Sequence, residues 1–157
     1  VITGRYISNT LIVTNAVYDK IVQDASDSGH LLYPFNQEKD IHKMTSGFDD
    51  EVASPGKIFV YPNSVFVEDG KVSFSITIAF ERAEWTYDNP IINKTDIDGA
   101  NNNISIDEYI IMLMEYLVDT FNNSEFGNHV LYVTESSVEA ISDGSGYSNF
   151  EINIQPK

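Results

Sequence analysis

Apolar and polar residues alternate strictly after Gly70. Val72, Phe74, Ile76, Ile78 and Phe80 share one face; Ser73, Ser75, Thr77 and Glu81 share the other, with small Ala79 among them. A strand repeats every two residues, so the pattern predicts one buried and one polar face. Glu68-Asp69-Gly70 lies just before it and reads as a tight turn, with Gly supplying a backbone shape that other residues resist. With Val65 to Val67 on the near side of that turn, the segment Val65 to Glu81 predicts a long antiparallel hairpin. Lys57 to Tyr61 adds a strand that ends at Pro62.

The period changes to that of a helix in two places. Leu11, Val13, Ala16, Val17, Tyr18, Ile21 and Val22 form an apolar stripe over Thr10 to Asp24, with Ser8 or Asn9 as the cap. The β-branched run Ile12-Val13-Thr14 leaves a strand as the alternative there. Ser105 and Glu108 have the spacing of a capping box, and Ile110, Ile111, Leu113, Met114, Leu117, Val118 and Phe121 continue a broad apolar face. Asn122-Asn123 and Gly127 end this second helix. Strands follow at His129 to Thr134, at Val138 to Ile141 and at Asn149 to Gln155, with a turn over Ser142 to Gly146.

Between the first helix and the strands, an irregular loop at about 25–56 is punctuated by Ser, Asp, Gly and Pro, with a short helix at Gln37 to Met44. A loop of that length is read either as a surface segment or as one that orders on a partner. The order helix, strands, helix, strands predicts an α+β fold: an antiparallel β-sheet with a long central hairpin and two main helices packed on one face.

The 157 residues are expected to form a single domain over 1–157, with enough apolar content (42%) for a core without staples. The absence of cysteine removes disulfides and thiolate metal sites. With 24 acidic against 9 basic side chains the net charge is −15. Binding a nucleic-acid backbone needs clustered Lys and Arg to displace counterions. Here the only arginines are Arg5 and Arg82 and the lysines are scattered, so neither specific nucleic-acid binding nor an anionic membrane surface is expected. No apolar run reaches the length of a membrane span, and the first residues lack the pattern of a signal peptide.

Chemistry-bearing motifs are few. Asp96-Ile97-Asp98-Gly99-Ala100-Asn101-Asn102-Asn103-Ile104-Ser105-Ile106-Asp107-Glu108 is similar to an EF-hand calcium loop, since calcium takes six to eight hard oxygens. The loop is one residue longer than that pattern, Asn101 stands where it has Gly, and Pro90 interrupts the segment before it. A polar loop leading into a capped helix explains the same residues. The alternative is a calcium-dependent binding or adhesion module with Asp96, Asp98 and Glu108 as metal ligands. His30, His42 and His129 have no zinc-ligand spacing, there is no G-x-S-x-G elbow, and no P-loop or dinucleotide glycine pattern is present. Glu81, Glu84, Asp88, Asp49, Asp50 and Glu51 read as a solvated acidic face, so no catalytic residue and no cofactor other than that calcium are expected.

The element order resembles one family. A first helix (Thr10 to Asp24), a strand and long hairpin (Lys57 to Ala83), an acidic-capped helix (Ser105 to Phe121) and a terminal hairpin ending Gly146-Tyr147-Ser148-Asn149-Phe150-Glu151-Ile152 are similar in size and layout to the tail terminator, or tail-completion, proteins of tailed bacteriophages. The likeness lies in architecture over most of the chain; the 25–56 region and the polar Asp88 to Asn103 connection depart from it. It implies a non-enzymatic structural protein of the virion, a ring-forming subunit at the head-to-tail or tail-tube junction. Assembly in the host bacterial cytoplasm and contact with neighbouring neck or tail-tube proteins are implied with it. A negatively charged lumen would let DNA pass without sticking. Ring formation needs a heterologous interface that closes, and a long hairpin can supply it by edge pairing or face packing. Tyr61, Trp85 and Tyr87 are the candidate interface residues, while Phe66 is expected in the core.

Overall fold

The computed structural model describes residues 8–43, 56–82, 91–93, 103–139 and 149–157. Helix α1 (Asn9–Ala25) begins at Ser8, whose Oγ accepts a hydrogen bond from the Leu11 amide at 3.2 Å. The β-branched run is helical after all. Thr14 Oγ1 donates to the Thr10 carbonyl at 2.7 Å, which satisfies a hydroxyl that would otherwise be buried unpaired. Val13, Val17, Ile21 and Ala25, four apart, face inward and are fully or almost fully buried. That burial outweighs the propensity cost.

The segment after α1 is more ordered than its composition implies. Asp27 and Asn36 side chains accept amides of Gly29, Glu38 and Lys39, each at 3.0 Å, closing local turns. Leu32 and Phe35 are buried in the core and anchor the segment. Over 37–43 the expected helix is not formed, and Met44 lies outside the described residues. Instead strand β1 (Ile41–Lys43) lies parallel to β2 (Gly56–Glu68), with Ile41 opposite Ile58 and Lys43 opposite Val60. Asp40 explains the preference: its carbonyl accepts the Ile58 amide at 2.8 Å and its carboxylate holds Lys57 Nζ at 2.7 Å.

Strand β2 does not stop at Pro62. It runs on to Glu68, with an irregularity between Pro62 and Ser64, and pairs antiparallel with β3 (Lys71–Arg82). Asp69 and Gly70 both have positive φ (51° and 75°), the requirement of the tight turn that matches strand twist. The short pair β4 (Ile91–Asn93) and β5 (Asn103–Ser105) leads into α2 (Ile106–Phe121). Strands β6 (Glu125–Phe126), β7 (His129–Glu139) and β8 (Asn149–Pro156) complete the chain, and Val138 belongs to β7 rather than to a separate strand.

The main sheet has six strands in the order β1-β2-β3-β8-β7-β6. It is mixed rather than antiparallel, because β1 joins in parallel and the other pairings are antiparallel. Ile58 opposite Phe80 and Ile78 opposite Ile152 place one apolar face toward the helices. Ile110, Leu113, Leu117 and Phe121 of α2 and Val13, Val17 and Ile21 of α1 enter the same core cluster. The opposite face is polar: Thr77 Oγ1 donates to Asn153 Oδ1 at 2.6 Å.

Candidate functional site

The hairpin is longer than the sheet that supports it. Strand β1 pairs with β2 only over Ile58–Val60, and β8 pairs with β3 only over Ile76–Phe80. Beyond those limits, among the described residues, Ser64–Glu68 and Lys71–Ser75 pair with each other alone. The register sets Val65 opposite Phe74 and Val67 opposite Val72, on the face that continues the core; Phe66 opposite Ser73 and Glu68 opposite Lys71 occupy the other.

Phe74 still reaches the body of the protein, where its ring meets His129 edge-on with centroids 6.1 Å apart. Past it, cover runs out. Val65, Phe66, Val67 and Val72 are 56%, 49%, 71% and 59% exposed. Leu11, on the first turn of α1, is also exposed and lines the same open groove of about 690 Å³ together with Pro62, Val65, Val67 and Phe74. On the face that continues the core, Leu11, Val65, Val67 and Val72 leave one apolar patch in water, while Phe66 is exposed on the other face. An apolar strip carried on two β-strands is suited to association; Ser8, Lys71 and His129 also line the groove beside it.

The residues singled out from the sequence fall differently. Tyr61 is half-buried, opposite Thr77, at the base of the exposed ribbon. Its phenol is pushed above its ordinary value by burial and by the charge of Glu151. Phe66, expected in the core, is half exposed. Trp85, Tyr87, Asp96 and Asp98 lie outside the described residues, and Glu108 sits in the first turn of α2 with its side chain outside them. The segment 94–102 is bracketed by the paired strands β4 and β5. Among the described residues no group of three or more acidic or His side chains is placed to hold a metal ion. Sequence reasoning missed Val65, Val67 and Leu11 as surface residues, and it placed Val72 on the buried face. The Pro62-Asn63 interruption is the signal that marks where the supported part of the hairpin ends.

Two further polar clusters hold the fold together. Asp40 Oδ1 and Lys57 Nζ form an almost wholly buried ion pair at 2.7 Å; Asp40 Oδ2 also accepts the Asn36 amide at 2.7 Å, and Lys57 donates to the Lys39 carbonyl at 3.2 Å. At the far end of α1, Asp24 accepts hydrogen bonds from Lys20 at 2.9 Å and from the Tyr116 hydroxyl of α2. His30 Nδ1 accepts the Leu32 amide at 3.0 Å, which assigns the ring proton to Nε2, 3.7 Å from Asp24 Oδ2. Burial, with Asp24 adding to it, pushes the Tyr116 phenol far up, so this tyrosine is a donor and not a base. The cluster clasps α1 to α2. No protein-family model matches the chain, and no curated protein matches it either.

Proposed function

We propose that this protein is a structural subunit that assembles with identical copies into a ring, of the kind found at the head-to-tail or tail-tube junction of tailed bacteriophages. The observation that carries the reading is the outer half of the β2–β3 hairpin, an apolar ribbon that the molecule's own helices leave uncovered. In the free chain that surface costs solvation free energy, and contact with another copy recovers it. The tail-terminator likeness rests on the order of elements, with α1 before the hairpin and α2 before the closing strands.

The acidity fits the same role. A ring whose subunits each carry −15 presents a surface that makes no counterion-releasing contacts with a polyanion, so DNA passes through its lumen without being held. Each copy belongs in the virion beside neck or tail-tube proteins, having assembled in the host cytoplasm. Sedimentation velocity and negative-stain microscopy of the purified chain test the reading. Rings of one fixed subunit number are expected, and salt should favour them by screening repulsion between subunits. A protein that stays monomeric at high concentration and high salt removes the proposal.

A further inference from the structure

We propose that neighbouring copies join edge to edge through the hairpin, the β3 edge of one copy pairing antiparallel with the β2 edge of the next. This rests on the self-assembly reading and gives it a geometry. Four observations support it. Among the described residues, Ser64–Glu68 and Lys71–Ser75 each have a strand on one side only, so the ribbon has two open edges. An unpaired edge carries a row of backbone donors and acceptors that template another strand.

The pairing is confined to the outer ribbon. At its base, Pro62 lacks a donor and the ladder slips between Pro62 and Ser64, which obstructs an added strand there. Lower still, β1 already occupies Ile58–Val60.

The register inside the hairpin also works between copies. Repeated across the joint, it sets Val67 against the next copy's Val72 and Val65 against its Phe74, so the apolar face runs on unbroken. It also brings Glu68 of one copy to Lys71 of the next, an opposite-charge pair at the rim. A slip of one residue would turn every valine to the other face, so the register is strongly specified.

Finally, two open edges favour a head-to-tail arrangement. A dyad-related pair would cover one edge of each hairpin and leave the other exposed. Head-to-tail pairing covers both, and gives a ring where the rotation between copies closes and an open filament where it does not. The joint is made by backbone hydrogen bonds along the two short strands and by side-by-side contacts of Val65 and Val67 with the next copy's Phe74 and Val72.

The chain has no cysteine, which makes a cross-linking test clean. Phe66→Cys and Ser73→Cys are made as separate variants, mixed by co-expression and oxidised. The inferred joint sets position 66 of one copy opposite position 73 of the next, within reach of a disulfide. Disulfide-linked dimers are expected in the mixture and absent from either variant alone. Dimers from Ser73→Cys alone, in equal yield, would mean dyad-related pairing and overturn the proposal. Assembled protein that yields no cross-link in the mixture overturns edge pairing and leaves self-assembly standing. A monomer throughout removes both. Amide exchange of the unaltered chain gives an independent readout. Protection must rise on assembly in both 64–68 and 71–75, and no rise in either strand refutes the joint.

Discussion

The double substitution Val65→Thr/Val67→Thr separates an assembly surface from a piece of core. Threonine keeps the branched shape and strand preference of valine and exchanges one methyl for a hydroxyl. In the isolated chain both side chains are more than half exposed, at 56% and 71%. The monomer should therefore lose no more than about 0.5 kcal/mol, the usual range for a surface change. In an interface the change is costly. Each site gives up part of a cross-strand apolar contact with the next copy's Phe74 or Val72, worth roughly 0.2–1 kcal/mol. For the two sites the sum is about 0.4–2 kcal/mol per joint, which weakens association by roughly 2- to 30-fold. Sedimentation velocity over a concentration series measures the association. Urea unfolding, at a dilution where the parent is also dissociated, measures the monomer without linkage to assembly. Unchanged association, or a loss above about 1.5 kcal/mol in the dilute monomer, would refute the reasoning and return these valines to the core.

Four further outcomes follow from the same structure. Lys57→Met leaves the Asp40 carboxylate charged and buried, and urea unfolding should show a loss of about 3–5 kcal/mol; Lys20→Met, on a partly exposed pair, should cost under about 1 kcal/mol, and similar losses for the two would refute the distinction. Gly56→Ala drives a Cβ into the Glu81 carbonyl and to 2.9 Å from the Phe80 ring, so a thermal melt should report a loss of about 1–3 kcal/mol. Tyr61, Tyr109 and Tyr116 have phenols raised above 10.0 in the folded chain, chiefly by burial. The folded state thus keeps protons that the unfolded state releases: this stabilisation is complete below about pH 10 and declines as pH rises toward the folded values. Phenolate absorbance in an alkaline titration should show Tyr109 and Tyr116 ionising together with loss of circular dichroism; ionisation of all nine tyrosines near pH 10 in a native protein would contradict it. Millimolar calcium should leave the melting temperature unchanged, and a rise abolished by Asp98→Ala would favour the calcium-module alternative.

Much of the framework is legible in the sequence, because its signals are local. Alternation from Val72 to Phe80, the Asp69-Gly70 turn and the helical stripe from Val13 to Ile21 each follow from a period or a backbone requirement. What escapes is tertiary. Ile41–Lys43 is too short to show a period; it is a strand because Asp40 is fixed against Lys57 and Ile58, more than fifteen residues on. The open half of the hairpin escapes for a related reason. Val67 and Val72 carry the same alternation as Ile76 and Ile78, and nothing local says how far along a strand its cover extends. Phe66, expected in the core, instead shares a face with its register partner Ser73.

That mismatch between ribbon and cover has a consequence for specificity. A ribbon with two open edges and exposed valines is also a template for uncontrolled pairing. The molecule restrains it in three ways: the ladder irregularity at Pro62, the Glu68-Asp69 and Lys71 charges at the tip, and a net charge of −15 on the chain that bears it. Repulsion between copies falls off within a Debye length and acts on every approach, whereas the attraction is confined to one short ribbon and one register. On the proposed joint, weak contacts between other faces are opposed, and alignment of Val65 and Val67 with Phe74 and Val72 of a neighbour offsets the charge. If so, neutralising surface carboxylates far from the hairpin should increase off-pathway aggregates rather than tighten the ring. Light scattering set against ring counts by microscopy reads that difference, and tighter rings with no added aggregate would show that charge plays no part in selecting the joint.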